Sequence, residues 1–181
     1  MADQPRQRMQ PWARAYVILV VALGALALVL SAPFIPRDQW LAILAFALIT
    51  FLAEAMPVEL PRRSGTVSVG YGVIYAAILI FGPGAATWIA ALATIRFREL
   101  SGQVSLEKVF FNRAQLAISA AAAGMAYIWL GGVPGHIDVV QGGLALLGAA
   151  AVYSVVNITT VVVVLCLVGK TPFWGVWVKD F

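Results

Sequence analysis

The sequence predicts an all-α membrane bundle of six transmembrane helices with both termini on the cytoplasmic side. Three observations predict it. The 181 residues are 62% hydrophobic and only 11% charged, with a mean hydropathy of +0.92, whereas an average soluble domain is about 45–50% apolar and about 25% charged. The apolar residues form long runs separated by short polar segments. The Lys and Arg residues cluster in alternate gaps between those runs. A soluble fold of this size leaves roughly 30% of its unfolded surface exposed and could not hide so much apolar area. The surrounding solvent is therefore read as lipid.

The elements follow in order. Residues 1–13 are polar and are read as a disordered cytoplasmic N-terminus. Arg6, Arg8 and Arg14 ahead of an apolar stretch imitate a signal peptide. No clear small-x-small cleavage pattern follows, however, and further spans do, so the first span is read as uncleaved. That span is 14–32, and its roughly 19 residues suffice for a hydrocarbon core of about 30 Å. Pro33 and Pro36 end it. The second span is 39–56, closed by Pro57, because the residue before a proline avoids helical geometry. A single helix over 66–98 would be roughly 48 Å long, and Gly82-Pro83-Gly84 breaks it. Two short helices result, 67–81 and 85–95. The segment 96–111 is polar, with Arg96, Arg98, Glu99, Glu107 and Lys108. The fifth helix, 112–130, is rich in small residues. The sixth, 143–168, starts after a delay imposed by Gly142-Gly143. The membrane domain thus covers 14–168, and 169–181 is a cytoplasmic juxtamembrane tail whose Phe173, Trp174 and Trp177 suit an interface.

Charge decides how the break at Gly82-Pro83-Gly84 is read. If it is a turn between two spans, Arg6, Arg8, Arg14, Arg62, Arg63, Arg96, Arg98, Lys108, Arg113, Lys170 and Lys179 share one side and Arg37 alone lies on the other, eleven against one. If the stretch crosses once, the division is five against seven. Cytoplasmic loops carry the excess of Lys and Arg, which favours a helix-hairpin turn on the non-cytoplasmic side. The net charge of +4 is then orientation rather than a nucleic-acid footprint. The composition and charge pattern together describe a multi-pass membrane protein.

Candidate binding residues are those whose polarity is out of place in an apolar run. Glu54 lies inside the second run, where a carboxylate is costly and faces the bundle interior or water; an ion pair with Arg62, Arg63 or Arg113 is the alternative. Asn112, Gln115 and Ser119 share one face of the fifth helix, and Tyr153, Asn157 and Thr160 share one face of the sixth. Tyr71 and Tyr75 stand four residues apart on the third. Such faces could line a ligand pocket between helices, or hydrogen-bond one another as packing contacts worth about 0.6 kcal/mol each. Small residues at four-residue spacing (Ala27/Ser31, Ser68/Gly72, Ser119/Ala123, Ala120/Gly124) let helices approach closely, within the chain or between two copies in a homodimer. Cys166, the single cysteine, reads as a small buried apolar residue. His136 near Asp138 falls short of the three or four ligands of a metal site. No hydrolase, metalloprotease or phosphate-loop pattern occurs, so neither an enzyme nor a cofactor is expected.

One arrangement is familiar. The run LAEAMPVELPRRSGTVSVGYGVIYAAILIFGPGAATWIAALA is followed by KVFFNRAQLAISAAAAGMAYIWLGG. Over about 50–132 it resembles the N-terminal membrane sensor domains that precede bacterial HD-GYP or GGDEF cyclic-dinucleotide signalling domains. The matching positions are Glu54, Pro57, Ser68, Phe81, Gly82, Pro83, Asn112 and Gln115. The resemblance implies a sensory or anchoring domain that binds a small or lipophilic ligand, or senses the bilayer, and signals to a cytoplasmic output domain or partner. In outline the chain is also similar to the substrate-binding components of energy-coupling-factor vitamin transporters, whose partners are transporter subunits. Those carry an alanine pair at four-residue spacing in the first helix, where this chain offers only Ala27/Ser31. The charge pattern predicts that a reporter placed within 131–136 is labelled by a membrane-impermeant reagent in intact cells. One placed within 96–103 is expected to be labelled only after permeabilisation; the same result at both sites would contradict the turn.

Overall fold

The computed structural model describes residues 10–55, 58, 59, 66, 67, 70–93, 104–136, 141–169, 172, 173 and 175. Pro57, Ser68 and Asp138 lie outside them, as do the loop and tail charges Arg62, Arg63, Arg96, Arg98, Lys170 and Lys179. Among the described residues the chain forms six α-helices: α1 (Pro11–Ser31), α2 (Trp40–Ala55), α3 (Gly70–Phe81), α4 (Pro83–Ala93), α5 (Leu106–Trp129) and α6 (Gln141–Gly169). Single 3-10 turns, Ala32–Phe34 and Arg37–Gln39, lie between α1 and α2. Val58–Glu59 pairs antiparallel with Thr66–Val67 between α2 and α3, in the register Val58↔Val67 and Glu59↔Thr66.

Several boundaries depart from the sequence expectation, each for a physical reason. Helix α1 begins at Pro11 rather than at 14, because proline at the first helical position gives up no hydrogen bond, so 11–13 are helical rather than disordered. Pro33 does not stop the chain at 32; a 3-10 turn carries it on to Phe34. Helix α3 is described from Gly70, and Val67 does not open it but is paired with Val58. Only Gly82 interrupts the chain between α3 and α4, with φ of 83°, a backbone region glycine enters without steric cost. Pro83 and Gly84 belong to α4, which therefore starts two residues before 85. Helix α5 starts at Leu106, six residues before 112, and takes in Glu107 and Lys108; Glu107 in the first turn complements the helix dipole. Gly142 and Gly143 lie inside α6 and delay nothing.

The helices alternate in direction. The Trp88 indole donates to the Leu28 carbonyl at 3.1 Å and Gly84 packs on the Ser31 and Phe34 carbonyls, so the start of α4 meets the end of α1. The Arg113 guanidinium donates to the Ala91 carbonyl at 3.0 Å, so the end of α4 meets the start of α5. Gly124, late in α5, packs on Pro83. Near the starts of α1 and α5, Tyr16 touches Phe111 and its hydroxyl donates to the Thr160 carbonyl, late in α6, at 3.2 Å. The Gly82 turn lies at the end of the bundle that also holds the α5–α6 loop: the Gly135 amide donates to the Leu79 carbonyl at 2.8 Å, and Pro134 covers Gly82.

The core lies where α3, α4, α5 and α6 meet. Ile74, Ala77, Ile78, Ala86, Ala90, Ala120, Ala123, Tyr127 and Tyr153 are buried in one cluster. A smaller cluster joins Val17 and Val20 to Phe111 and Ala114. The opposite faces stay apolar and uncovered. Leu41, Leu44, Leu48 and Leu52 form an exposed row on α2, while Ile43, Phe46 and Ala47 turn inward. Large contiguous apolar surfaces of this kind are not left to water by monomeric soluble proteins. By length and composition, two helices are apolar enough to cross a membrane, Pro11–Phe34 and Gly142–Gly169. Helices α3 and α4 are too short for that test, at roughly 18 Å and 17 Å.

The closest backbone approaches generate a prediction. A Cβ on Gly124 would stand 2.6 Å from Pro83 Cβ and 2.8 Å from its Cα. Gly124→Leu is expected to lower stability in detergent by about 1–3 kcal/mol through overpacking. Gly72, whose Cβ position meets nothing within 4 Å, serves as the control: Gly72→Ala should leave stability unchanged or raise it by up to about 1 kcal/mol. Unfolding by SDS titration measures both.

Candidate functional site

In an apolar surrounding every polar group seeks a partner inside the protein, because hydrocarbon offers none. The short hydroxyls meet this demand locally. Thr50 donates to the Phe46 carbonyl at 2.8 Å, Thr87 to Pro83 at 2.7 Å, Ser119 to Gln115 at 2.7 Å and Thr160 to Val156 at 2.7 Å. Each bond runs back one helical turn, the route short hydroxyl side chains take on a helix. Longer polar side chains reach past their own backbone and have no such recourse.

Four of these longer groups are buried without a hydrogen-bonding partner among the described residues: Gln115 Oε1, Tyr127 Oη, Tyr153 Oη and Asn157 Nδ2. Two of the four adjoin each other. Tyr153 and Asn157 stand one turn apart on one face of α6, with their polar ends near hydrogen-bonding reach of each other but without the geometry of a formed bond. Tyr153 is 2% exposed. The rings of Tyr71 and Tyr75 both lie edge-on to its ring, with centroids 5.5 Å away and interplanar angles of 73° and 76°. These are the offset geometries aromatic quadrupoles prefer. Glu54 is buried near the end of α2 and lies within electrostatic reach of Tyr153.

The structure thus brings Glu54, Tyr71, Tyr75, Tyr153 and Asn157 together from α2, α3 and α6. Asn112, Gln115 and Ser119 stay on α5, where Gln115 and Ser119 are buried and Asn112 is half-buried. The Ser119 hydroxyl is committed to the Gln115 carbonyl, so its part in that face is local to the helix. Arg113 is engaged with the end of α4. Gly82, Pro83 and Gly84 pack the opposite end of the bundle, Gly84 against the Phe34 and Ser31 carbonyls. His136 is exposed in the α5–α6 loop. Among the described residues no group of three His, Cys, Asp or Glu is close enough to hold a metal ion.

Sequence reasoning missed Tyr127. It is wholly buried, its ring seats Gly132, and its hydroxyl lies beside Gly142. Its position three residues after Gly124, on the α5 face that carries Ala120 and Ala123, was the available signal.

The model of the MASE9 family, a family of membrane-associated sensor domains, matches residues 18–180. The chain belongs to that family. It is a membrane-associated sensor domain built from helices. No curated protein and no solved structure matches it.

An unpartnered hydroxyl contributes nothing to folding, which separates the two readings of Tyr153. Tyr153→Phe is expected to leave stability unchanged or slightly raised, since only an unpaired polar group is removed. Tyr153→Ala should cost about 3–5 kcal/mol, as for other large aromatic truncations. Thermal unfolding in detergent checks both. A loss above about 1 kcal/mol for Tyr153→Phe would mean that the hydroxyl is already hydrogen-bonded.

Proposed function

We propose that this chain is the non-enzymatic sensory part of a bacterial inner-membrane signalling protein. It crosses the bilayer six times with both termini cytoplasmic, binds a small lipophilic molecule between its helices and passes a helix displacement to a cytoplasmic cyclic-dinucleotide output domain or partner. The observation that carries the reading is the sensor-family match over 18–180. The eleven-to-one division of basic residues supports the topology, as does the alternation of the six helices.

The Tyr153 cluster supports the position of the sensing site. It joins α2 and α3 to α6, and α6 leads into 169–181, the segment through which output would be reached. A ligand shifts such a system only by binding two helix arrangements with different affinity. Groups whose hydrogen bonds remain to be made are where that difference can arise, because filling them favours whichever arrangement presents them to the ligand.

The test is a fusion of 1–181 to a diguanylate cyclase, with cyclic-dinucleotide output measured per unit of membrane-inserted protein. Glu54→Gln, Tyr153→Phe and Asn157→Leu are each expected to shift output at least roughly threefold, because modest changes in a two-state equilibrium are read directly as population. Three variants that insert normally and leave output at the parent level would remove the support for a sensing role of this cluster.

A further inference from the structure

The donors at the tyrosine cluster define the chemistry of what they bind. Tyr153 Oη and Asn157 Nδ2 are buried, adjacent on α6 and without a partner of hydrogen-bonding geometry among the described residues, in a bundle where Thr50, Thr87, Ser119 and Thr160 bond their own helices. The amide nitrogen of Asn157 can only donate, and a tyrosine hydroxyl donates as readily as it accepts. The pair therefore calls for an acceptor atom. It does not call for an ion: the positive edges of two donors oppose a cation, and the nearby Glu54 carboxyl opposes an anion. The Tyr71 and Tyr75 rings wall the same place with aromatic surface, which favours a flat ring by edge and face contacts. Helix α3 also approaches α6 far less closely than α5 does, so the seam between them is bridged by side chains rather than by packed backbones.

We propose that Tyr153 and Asn157 donate hydrogen bonds to the carbonyl oxygen of an uncharged, ring-bearing, lipid-soluble molecule, of the chemical class of a quinone or cyclic ketone, seated between α3 and α6. This rests on the reading of the chain as a ligand-binding sensor and names the ligand class for that site. The carbonyl supplies the acceptor that the protein lacks there. Tyr71 and Tyr75 contact the ring, and the molecule reaches the site from the bilayer.

The experiment uses the 1–181 chain in phosphatidylcholine nanodiscs, with the side-chain amide of Asn157 followed by nitrogen-15 NMR. Three probes of equal chain length are titrated: a decyl-benzoquinone, the corresponding hydroquinone and decylbenzene. The benzoquinone is expected to shift the Asn157 resonance saturably, and decylbenzene is expected to leave it unmoved. The hydroquinone should bind more weakly, because a phenolic hydroxyl oxygen is a poorer acceptor than a quinone carbonyl and leaves the Asn157 donor less well satisfied. Tyr153→Phe and Asn157→Leu should each weaken the benzoquinone by roughly three- to tenfold, the value of one buried hydrogen bond; for Asn157→Leu the Tyr153 ring resonances serve as the readout.

Equal responses to benzoquinone and decylbenzene would overturn the acceptor chemistry. So would no saturable response to any probe, or a resonance shifted by bound water alone. The cyclase fusion separates that failure from failure of the sensory reading. If its output still responds to Tyr153→Phe while all probes fail, only the ligand class falls; if output and probes both fail, the sensor site falls with it.

Discussion

A polar group surrounded by hydrocarbon has no solvent to fall back on, and this constraint shapes the bundle at every level. It confines the backbone to helices, whose amides and carbonyls pair internally. It turns Thr50, Thr87, Ser119 and Thr160 back onto carbonyls one turn earlier. It explains why Trp88 and Arg113, which must cross between helices, end on backbone carbonyls of α1 and α4. Where a group escapes this rule, as Tyr153 and Asn157 do, the exception carries information because leaving a donor unpaired in such surroundings costs about 1–3 kcal/mol.

Close packing depends on the same economy. With lipid outside and alanine inside, little hydrophobic force draws helices together, and close approach of small residues takes over. Gly24 against Ala114, Gly84 against the end of α1, and Gly124 against Pro83 bring three helix pairs into backbone contact. These contacts hold α1, α4 and α5 as a dense unit. Helices α2 and α3 are tied to it through larger side chains, among them Phe46 edge-on to Phe81 at 5.1 Å and the tyrosine trio. A backbone-packed part and a side-chain-bridged part thus coexist within one bundle.

Much of this was legible in the sequence, and the remainder failed for identifiable reasons. Apolar runs and proline positions located the helices to within a few residues, because both signals act locally. The start of α5 is hidden in the sequence because Glu107 and Lys108 look like loop residues, although a helix end accepts charge readily. The two glycines at the start of α6 suggest a delayed helix start, yet glycine is well tolerated in membrane helices and both lie inside the helix. The shared face of Tyr71 and Tyr75 followed from four-residue spacing, but their meeting with Tyr153 did not. That contact spans about eighty residues of chain and depends on how α3 is set against α6, which no local pattern encodes. The loss of Ser119 from the polar face of α5 likewise became visible only once its hydroxyl was seen on the Gln115 carbonyl.

The central claim is that a dry, polar cluster sits inside a lipid-embedded bundle. Its most direct test is the depth and wetness of Tyr153 itself. Fluorotyrosine placed at position 153 alone, in nanodiscs, can be relaxed by dissolved oxygen, which concentrates in hydrocarbon, or by a water-soluble nickel complex. The account predicts strong relaxation by oxygen and essentially none by nickel. Relaxation by nickel comparable to that of a residue in the exposed 131–136 loop would contradict it.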